Sequence, residues 1–251
     1  MSGHSKWSTI KHKKALADKA RGKSFSKIIR EITVAARIGG GDPEANPRLR
    51  LAIAKAREAN MPKDTTEKAI KRGTGDLPGI VYEEMVMEGY GPGGVAILVE
   101  VLSDNKNRTT AQIRSLLTRN GGSMAGAGSV SWLFTKKGII SLAAEGIKED
   151  QLMEVALEAG ADDLKIEDDQ AVISTTMQSF EAVKRALEKS QMKWESAELT
   201  MIPSSTVRVD DSGQVKVLLN LLDALEDDDD IQHVYANFDI PDQLLAEQES
   251  S

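Results

Sequence analysis

Over residues 138 to 202 the apolar residues switch between two periods, and the order of the switches limits the topologies open to the chain. Strand-like spacing at Ile139 to Leu142, Asp163 to Glu167, Ala171 to Thr175 and Ser196 to Ile202 is interrupted by helical spacing at Glu149 to Ala159 and Ser179 to Lys189. That is βαββαβ, the ferredoxin-like order, complete within one short stretch. Before it, Val81 to Glu88 and Val95 to Leu102 flank GYGPGG as a hairpin. Lys106 to Asn120 reads as a helix and Ser129 to Phe134 as a third strand. After it come a helix, Gly213 to Leu225, and a strand, Ile231 to Phe238. An orphan helix and strand cannot bury their faces alone, whereas the unit at 81 to 134 has room for both. The expectation is therefore a ferredoxin-like α/β domain at 136–203, inserted into a discontinuous α/β domain made of 80–135 and 204–240.

The first 75 residues have a different pattern. Phe25, Ile28, Ile29, Ile32, Ala35 and Ala36 follow helical spacing from a cap at Ser24, and Gly39 to Gly41 end that helix. Asn46 caps a second helix with Pro47 at its first position, and it ends near Asn60. Asp64 and Glu67 have capping-box spacing for a third helix that stops at Gly73. A further helix is expected from about Ser8 to Ala20, ordered on binding. The fold class is thus α+β, with 1–75 as a basic arm and helical domain ahead of two α/β domains.

Charge divides the chain at the same place. Residues 1 to 75 hold 18 Lys and Arg against 7 Asp and Glu, and the remainder holds 14 against 32. A net charge of -7 for the whole chain conceals +11 followed by -18. Such asymmetry points to a polyanion at the basic end. There is no Cys, which excludes disulfide scaffolds, thiolate metal sites and cysteine nucleophiles. A charged start and no apolar run of membrane-spanning length predict a cytoplasmic protein with no membrane partner.

Catalytic and cofactor motifs fail on context. Residues 17 to 24, ADKARGKS, resemble a Walker A loop but follow a Lys-rich helical stretch in place of a buried strand. Gly89, Gly91 and Gly94 satisfy GxGxxG yet lead into a strand, so the Gly-rich hairpin is preferred. Only His4, His12 and His233 exist, and no HExxH motif accompanies them. The run Asp227 to Asp230 reads as a solvated loop. The expectation is no catalytic residue, no cofactor and no metal.

The first 30 residues carry the positive signal. Lys6, Lys11, Lys13, Lys14, Lys19, Arg21, Lys23, Lys27 and Arg30 are opposed by Asp18 alone. So many like charges repel one another unless a polyanion screens them. On a helix Lys11, Lys14 and Arg21 form a stripe with Lys13 beside it, suited to a phosphate backbone. The bland alternative is a solvated surface helix. Trp7, His4 and His12 could stack on unpaired bases, or Trp7 could pack on the helical domain. Residues 1 to 30 contain no Asn or Gln, the side chains that read adenine bidentately, so sequence-specific readout by the arm should be poor.

GHSKW (Gly3 to Trp7), GGGDP (Gly39 to Pro43), NPRLR (Asn46 to Arg50), EGYGPGG (Glu88 to Gly94) and SDNKNRT (Ser103 to Thr109) occur in one order. GSVSWLF (Gly128 to Phe134), KKGII (Lys136 to Ile140), ALEAGADD (Ala156 to Asp163), AELTMIPS (Ala197 to Ser204) and the Leu225 to Asn237 segment follow. With these motifs the chain closely resembles the YebC family over nearly its whole length. Ala125 stands where members often carry Gly. The resemblance implies three domains, the last inserted in the second. It also implies a cytoplasmic, non-enzymatic DNA-binding transcriptional regulator, or alternatively a ribosome-associated factor that relieves stalls at proline-rich stretches. An enzyme is the third class weighed, and the less favoured. The implied partner is nucleic acid, either DNA or ribosomal or transfer RNA, with a monomer or weak dimer as the assembly state. Carried onto this chain, the binding role falls on GHSKW and the basic residues after it, and secondarily on Arg48 and Arg50 of NPRLR.

Overall fold

Three helices come from the first segment because each has one apolar face short enough to be covered by the other two. The computed structural model of the protein describes residues 19–145, 147–167, 170–241 and 243–245. Helix α1 spans Lys19–Gly39, α2 Pro47–Glu58 and α3 Lys63–Thr74. Ile32, Ala35, Ala36, Leu49, Ala52, Ala56, Met61 and Ala69 form their shared core. Small residues let α1 and α3 approach closely: a Cβ on Gly73 would lie 2.4 Å from the carbonyl oxygen of Thr33. Asn46 accepts from the Leu49 amide (3.1 Å) and donates to the carbonyls of Ala35 and Gly40 (both 2.8 Å). One side chain therefore caps α2 and closes the end of α1.

Two expected caps are absent. Ser24 lies inside α1, which already includes Lys19, so the segment resembling a Walker A loop is helical over 19 to 24. Pro62 stands at the N-cap of α3 with no side-chain cap; Asp64 instead takes Lys68 (2.6 Å) and Glu67 takes Lys63 (3.6 Å). The expected helix at Ser8 to Ala20 lies almost wholly outside the described residues.

The hairpin forms as β1 (Glu83–Tyr90) against β2 (Ala96–Ser103), antiparallel, with Gly93 of the connection at φ 71°. Helix α4 (Lys106–Arg119) leads to a short strand β3 (Ser123–Ala125), which pairs with β1. The third strand is thus β3 and not the expected Ser129 to Phe134. Those residues are a turn and a 3₁₀ turn (Ser131–Leu133), because the Glu88 carboxylate takes amides that a ladder would need. Phe134 opens β4 (Phe134–Ala143), longer than the Ile139 to Leu142 expected.

From β4 the chain runs through α5 (Glu149–Glu158), β5 (Ala161–Glu167), β6 (Gln170–Thr175), α6 (Phe180–Lys189) and β7 (Ser196–Pro203). Their sheet has the order β5-β6-β4-β7 with every pairing antiparallel, which is the ferredoxin-like arrangement. Ile140, Leu142, Ala171 and Ile173 face Leu152, Ala156, Val183 and Leu187 of the two helices. On the helix side Gly138 leaves room for the Phe180 ring: an added Cβ would meet Phe180 Cδ2 at 2.3 Å and Thr175 Oγ1 at 2.4 Å. Gly138→Ala is therefore expected to destabilise this module by about 1–3 kcal/mol through overpacking. Urea unfolding of the full chain followed by circular dichroism checks it, and an unchanged midpoint would contradict the packing described.

The chain then returns. Strand β8 (Val207–Arg208) precedes α7 (Ser212–Glu226) and β9 (Ile231–Ala236), and β9 pairs with β2 in the register Ile97↔Ala236 and Val99↔Val234. The sheet order is β3-β1-β2-β9, covered by α4 and α7 through Ile113, Leu117, Val215, Leu218 and Leu222. The expected strand to Phe238 is broken at Asn237, whose Oδ1 accepts from the Ala96 amide (2.7 Å). Beyond the break β10 (Phe238–Asp239) pairs in parallel with β8, a small sheet the sequence pattern did not suggest. Residues 132–205 form one compact unit and the other described residues a second.

Candidate nucleic-acid interface

Six of the residues singled out in the sequence, Lys6, Trp7, Lys11, His12, Lys13 and Lys14, lie outside the described residues. Lys19, Arg21 and Lys23 belong to the start of α1, whose first turn contains no acidic residue. Positions 19, 23, 27 and 30 recur at helical spacing and so fall on one face of α1.

The far end of that face is engaged within the chain. Lys27 Nζ donates to the carbonyl of Glu226 (2.6 Å). Arg30 donates to the carbonyl of Leu102 (3.0 Å) and to Asp230, and its guanidinium lies 5.2 Å from the centroid of the Tyr82 ring. Arg48 holds Glu31 bidentately (2.7 and 2.9 Å) and also reaches Glu84, and the bond to Glu31 raises its pKa further above neutrality. Arg50 is exposed, with long bonds to the carbonyls of Pro43 and Glu44 (both 3.3 Å). Lys27, Arg30 and Arg48 thus fasten the helical segment to the second sheet and its flanking loops, while Arg50 remains open to solvent on one side.

Asp230, expected in a solvated loop, is the hub of this fastening. It is 4 % exposed and accepts from Arg30, from Arg108 Nη2 (2.6 Å), from Ser103 Oγ (3.1 Å) and from Thr109 Oγ1. Burial pushes its carboxyl up, but the bonds from Thr109, Arg108 and Arg30 prevail and hold its pKa at about 2. Its neighbours Asp227 and Asp229 in the same loop after α7 are exposed, and Asp228 is half-buried. The sequence signal was the position itself: the last Asp directly precedes the apolar strand β9.

Glu88 was also missed. Though on an apolar strand, it is buried and accepts from the amides of Gly128 (2.7 Å), Val130 (2.6 Å) and Ser131 (2.9 Å). Burial again pushes its carboxyl up, and those amides outweigh it, so its pKa is lowered. Both carboxylates have their oxygens occupied and titrate below neutrality, which suits holding loops together and not general acid–base work. Among the described residues no group of three His, Asp or Glu is placed to hold a metal ion.

Fold and charge together define the class: an α+β protein whose cationic helical segment leads into sheet-containing domains. Residues 5–76 match the TACO1/YebC protein N-terminal domain, and residues 82–238 match the TACO1/YebC second and third domain. The chain belongs to the TACO1/YebC family. It is 56 % identical over 245 residues to a probable transcriptional regulatory protein of Syntrophobacter fumaroxidans, covering 98 % of each chain. A protein of the same description from Halothermothrix orenii is 55 % identical over 249 residues, again covering 98 % of each. The crystal structure of a conserved hypothetical protein, Aq1575 from Aquifex aeolicus, is 47 % identical and superposes with a TM-score of 0.78, over 89 % of this chain and 92 % of that one.

Proposed function

We propose that this protein is a non-enzymatic regulator of gene expression that acts by binding nucleic acid. The observation that carries the reading is the excess of nine cations over one anion in residues 1 to 30, continued into a helix whose first turn has no acid. Relatives described as probable transcriptional regulatory proteins support a regulator. The contact set is Lys6, Trp7, Lys11, His12, Lys13, Lys14, Lys19, Arg21 and Lys23, with Arg50 at its margin. Lys27, Arg30 and Arg48 leave that set because they are held within the chain.

One observation favours RNA over a promoter as the target. A regulator of transcription must distinguish its site from a genome of competing duplex, which takes several kcal/mol of base or shape discrimination. An arm without Asn or Gln is poorly equipped for that, whereas a folded RNA supplies an address by its shape. The test is competition at near-physiological salt among a candidate promoter, scrambled duplex and ribosomes. Preference among duplexes is expected to stay below about tenfold, or about 1.4 kcal/mol, with ribosome co-sedimentation at low salt that requires residues 1 to 30. A hundredfold preference for one promoter, with no ribosome association, would return the reading to transcription.

A further inference from the structure

We propose that helix α4 is a second phosphate-binding surface, on the otherwise acidic part of the chain, with Lys106, Arg114 and Arg119 as its contacts. The inference rests on the nucleic-acid reading above and extends it from the arm to the second sheet's outer helix. From residue 76 onward acids outnumber bases 32 to 14, yet α4, KNRTTAQIRSLLTR, has four cations and no acid. Arg108 is engaged by Asp104 and Asp230. Lys106, Arg114 and Arg119 are exposed and form no ion pair among the described residues.

Helix stability accounts for Arg119, a cation that the macrodipole favours in the last turn, but not for Lys106 and Arg114. The macrodipole favours acids in the first turn, and α4 instead begins Lys106-Asn107-Arg108 with none. Tertiary packing does not account for it either: the core contacts of α4 are made by Thr109, Ile113 and Leu117, Arg114 and Arg119 flank the face away from them, and Lys106 is exposed in the first turn, one end beyond that core stripe. What the exposed face offers between its cations is Asn107, Gln112 and Thr118, neutral donors of the kind that bond phosphate and sugar oxygens, around a small Ala111 that allows close approach. No large apolar side chain of α4 is exposed. A protein partner would ordinarily need an aromatic or aliphatic anchor at the centre of its footprint, whereas a phosphate backbone needs none.

The placement also joins the two surfaces. Asp230 accepts from Arg30 of α1 on one oxygen and from Arg108 of α4 on the other. The N-terminus of α4 therefore lies beside the end of the cationic face of α1. From there α4 runs about 20 Å from Lys106 to Arg119, at about 1.5 Å per helical residue.

The test uses the full-length chain, a 30-nucleotide single-stranded RNA and the duplex DNA of the same sequence, with binding measured across a salt series. Lys106→Gln/Arg114→Gln/Arg119→Gln should lower affinity about tenfold or more and reduce the slope of log K against log salt by about 2 to 3, as loss of three phosphate contacts requires. The corresponding Glu variants should weaken binding further, and thermal melts of both should match the wild type because these side chains form no ion pair among the described residues. A loss seen with one polymer alone identifies that polymer as the source of the phosphate and supports the assignment. Lys136→Gln/Lys189→Gln/Lys193→Gln, which removes the same charge elsewhere, should leave affinity and slope unchanged. The proposal is overturned if the α4 variant binds both polymers like the wild type while charge reversal in the arm removes binding. It is equally overturned if the control variant loses as much as the α4 variant. A wild-type chain that binds neither polymer would bring down the parent reading instead.

Discussion

Asp230→Ala is expected to lower the unfolding free energy by about 3–5 kcal/mol, the usual consequence of removing one member of a buried charge cluster. Arg30 is largely buried beside Tyr82 and would lose its anionic partner, and Ser103 and Thr109 would be left with each other (2.6 Å) and the backbone of Asn105. Arg108, more exposed, retains Asp104 and should matter less. The pH dependence has a definite sign. The native pKa of Asp230, about 2, lies below the unfolded value, so the carboxylate stabilises the fold above about pH 5, and that contribution is lost as pH falls through 4 toward 2. Its size is about 2 kcal/mol. Asp230→Asn should therefore show a flatter acid limb in denaturant unfolding between pH 5 and 2. An acid limb as steep as the wild type's would show that other carboxylates govern acid stability. Heating should reveal the same weakness as a melting temperature lower by about 6–20 °C for Asp230→Ala.

Lys11→Glu/Lys13→Glu/Lys14→Glu should abolish nucleic-acid binding while leaving the melting temperature nearly unchanged. The substitutions lower the net charge of residues 1 to 30 by six, from +8 to +2, and spare the apolar stripe that begins at Phe25. If about six charges of the wild-type arm meet phosphates, log K against log salt should have a slope near -4 to -5. Electrophoretic or anisotropy titrations over a salt series check both statements. Affinity that ignores salt would exclude a phosphate-tracking arm, and a triple variant that still binds would move the contacts elsewhere.

Period and punctuation made most of the architecture legible in the sequence. The βαββαβ order, the hairpin about GYGPGG and the Asn46-Pro47 cap all rest on local rules that neighbouring structure does not override. The errors arose where a polar group was satisfied from a distance. Ser129 to Phe134 has the letters of a strand, but Glu88, forty residues earlier, claims its amides. Asp230 looks like one more solvated aspartate because the residues that bury it, Arg30, Ser103, Arg108 and Thr109, all lie more than a hundred positions away in the sequence. The same is true of Lys27, Arg30 and Arg48: charge counting marks them as cations but cannot say which carboxylate or carbonyl each will meet. For α4 the helix itself was readable, whereas the significance of its missing acids emerged only when its exposed face and its neighbour α1 were located.

The pairing of β2 with β9 has a consequence for how the chain is made. Strand β2 is synthesised with β1 beside it, but its other edge waits for Ile231 to Ala236. At ordinary rates of elongation that wait is roughly ten seconds, time enough for residues 132–205 to fold completely. During it the apolar segment AILVEVLS presents an open ladder, the feature that recruits strands from other nascent chains. Soluble yield should then follow the speed of translation over residues 104–230, a kinetic vulnerability that the stability of the finished protein does not reveal.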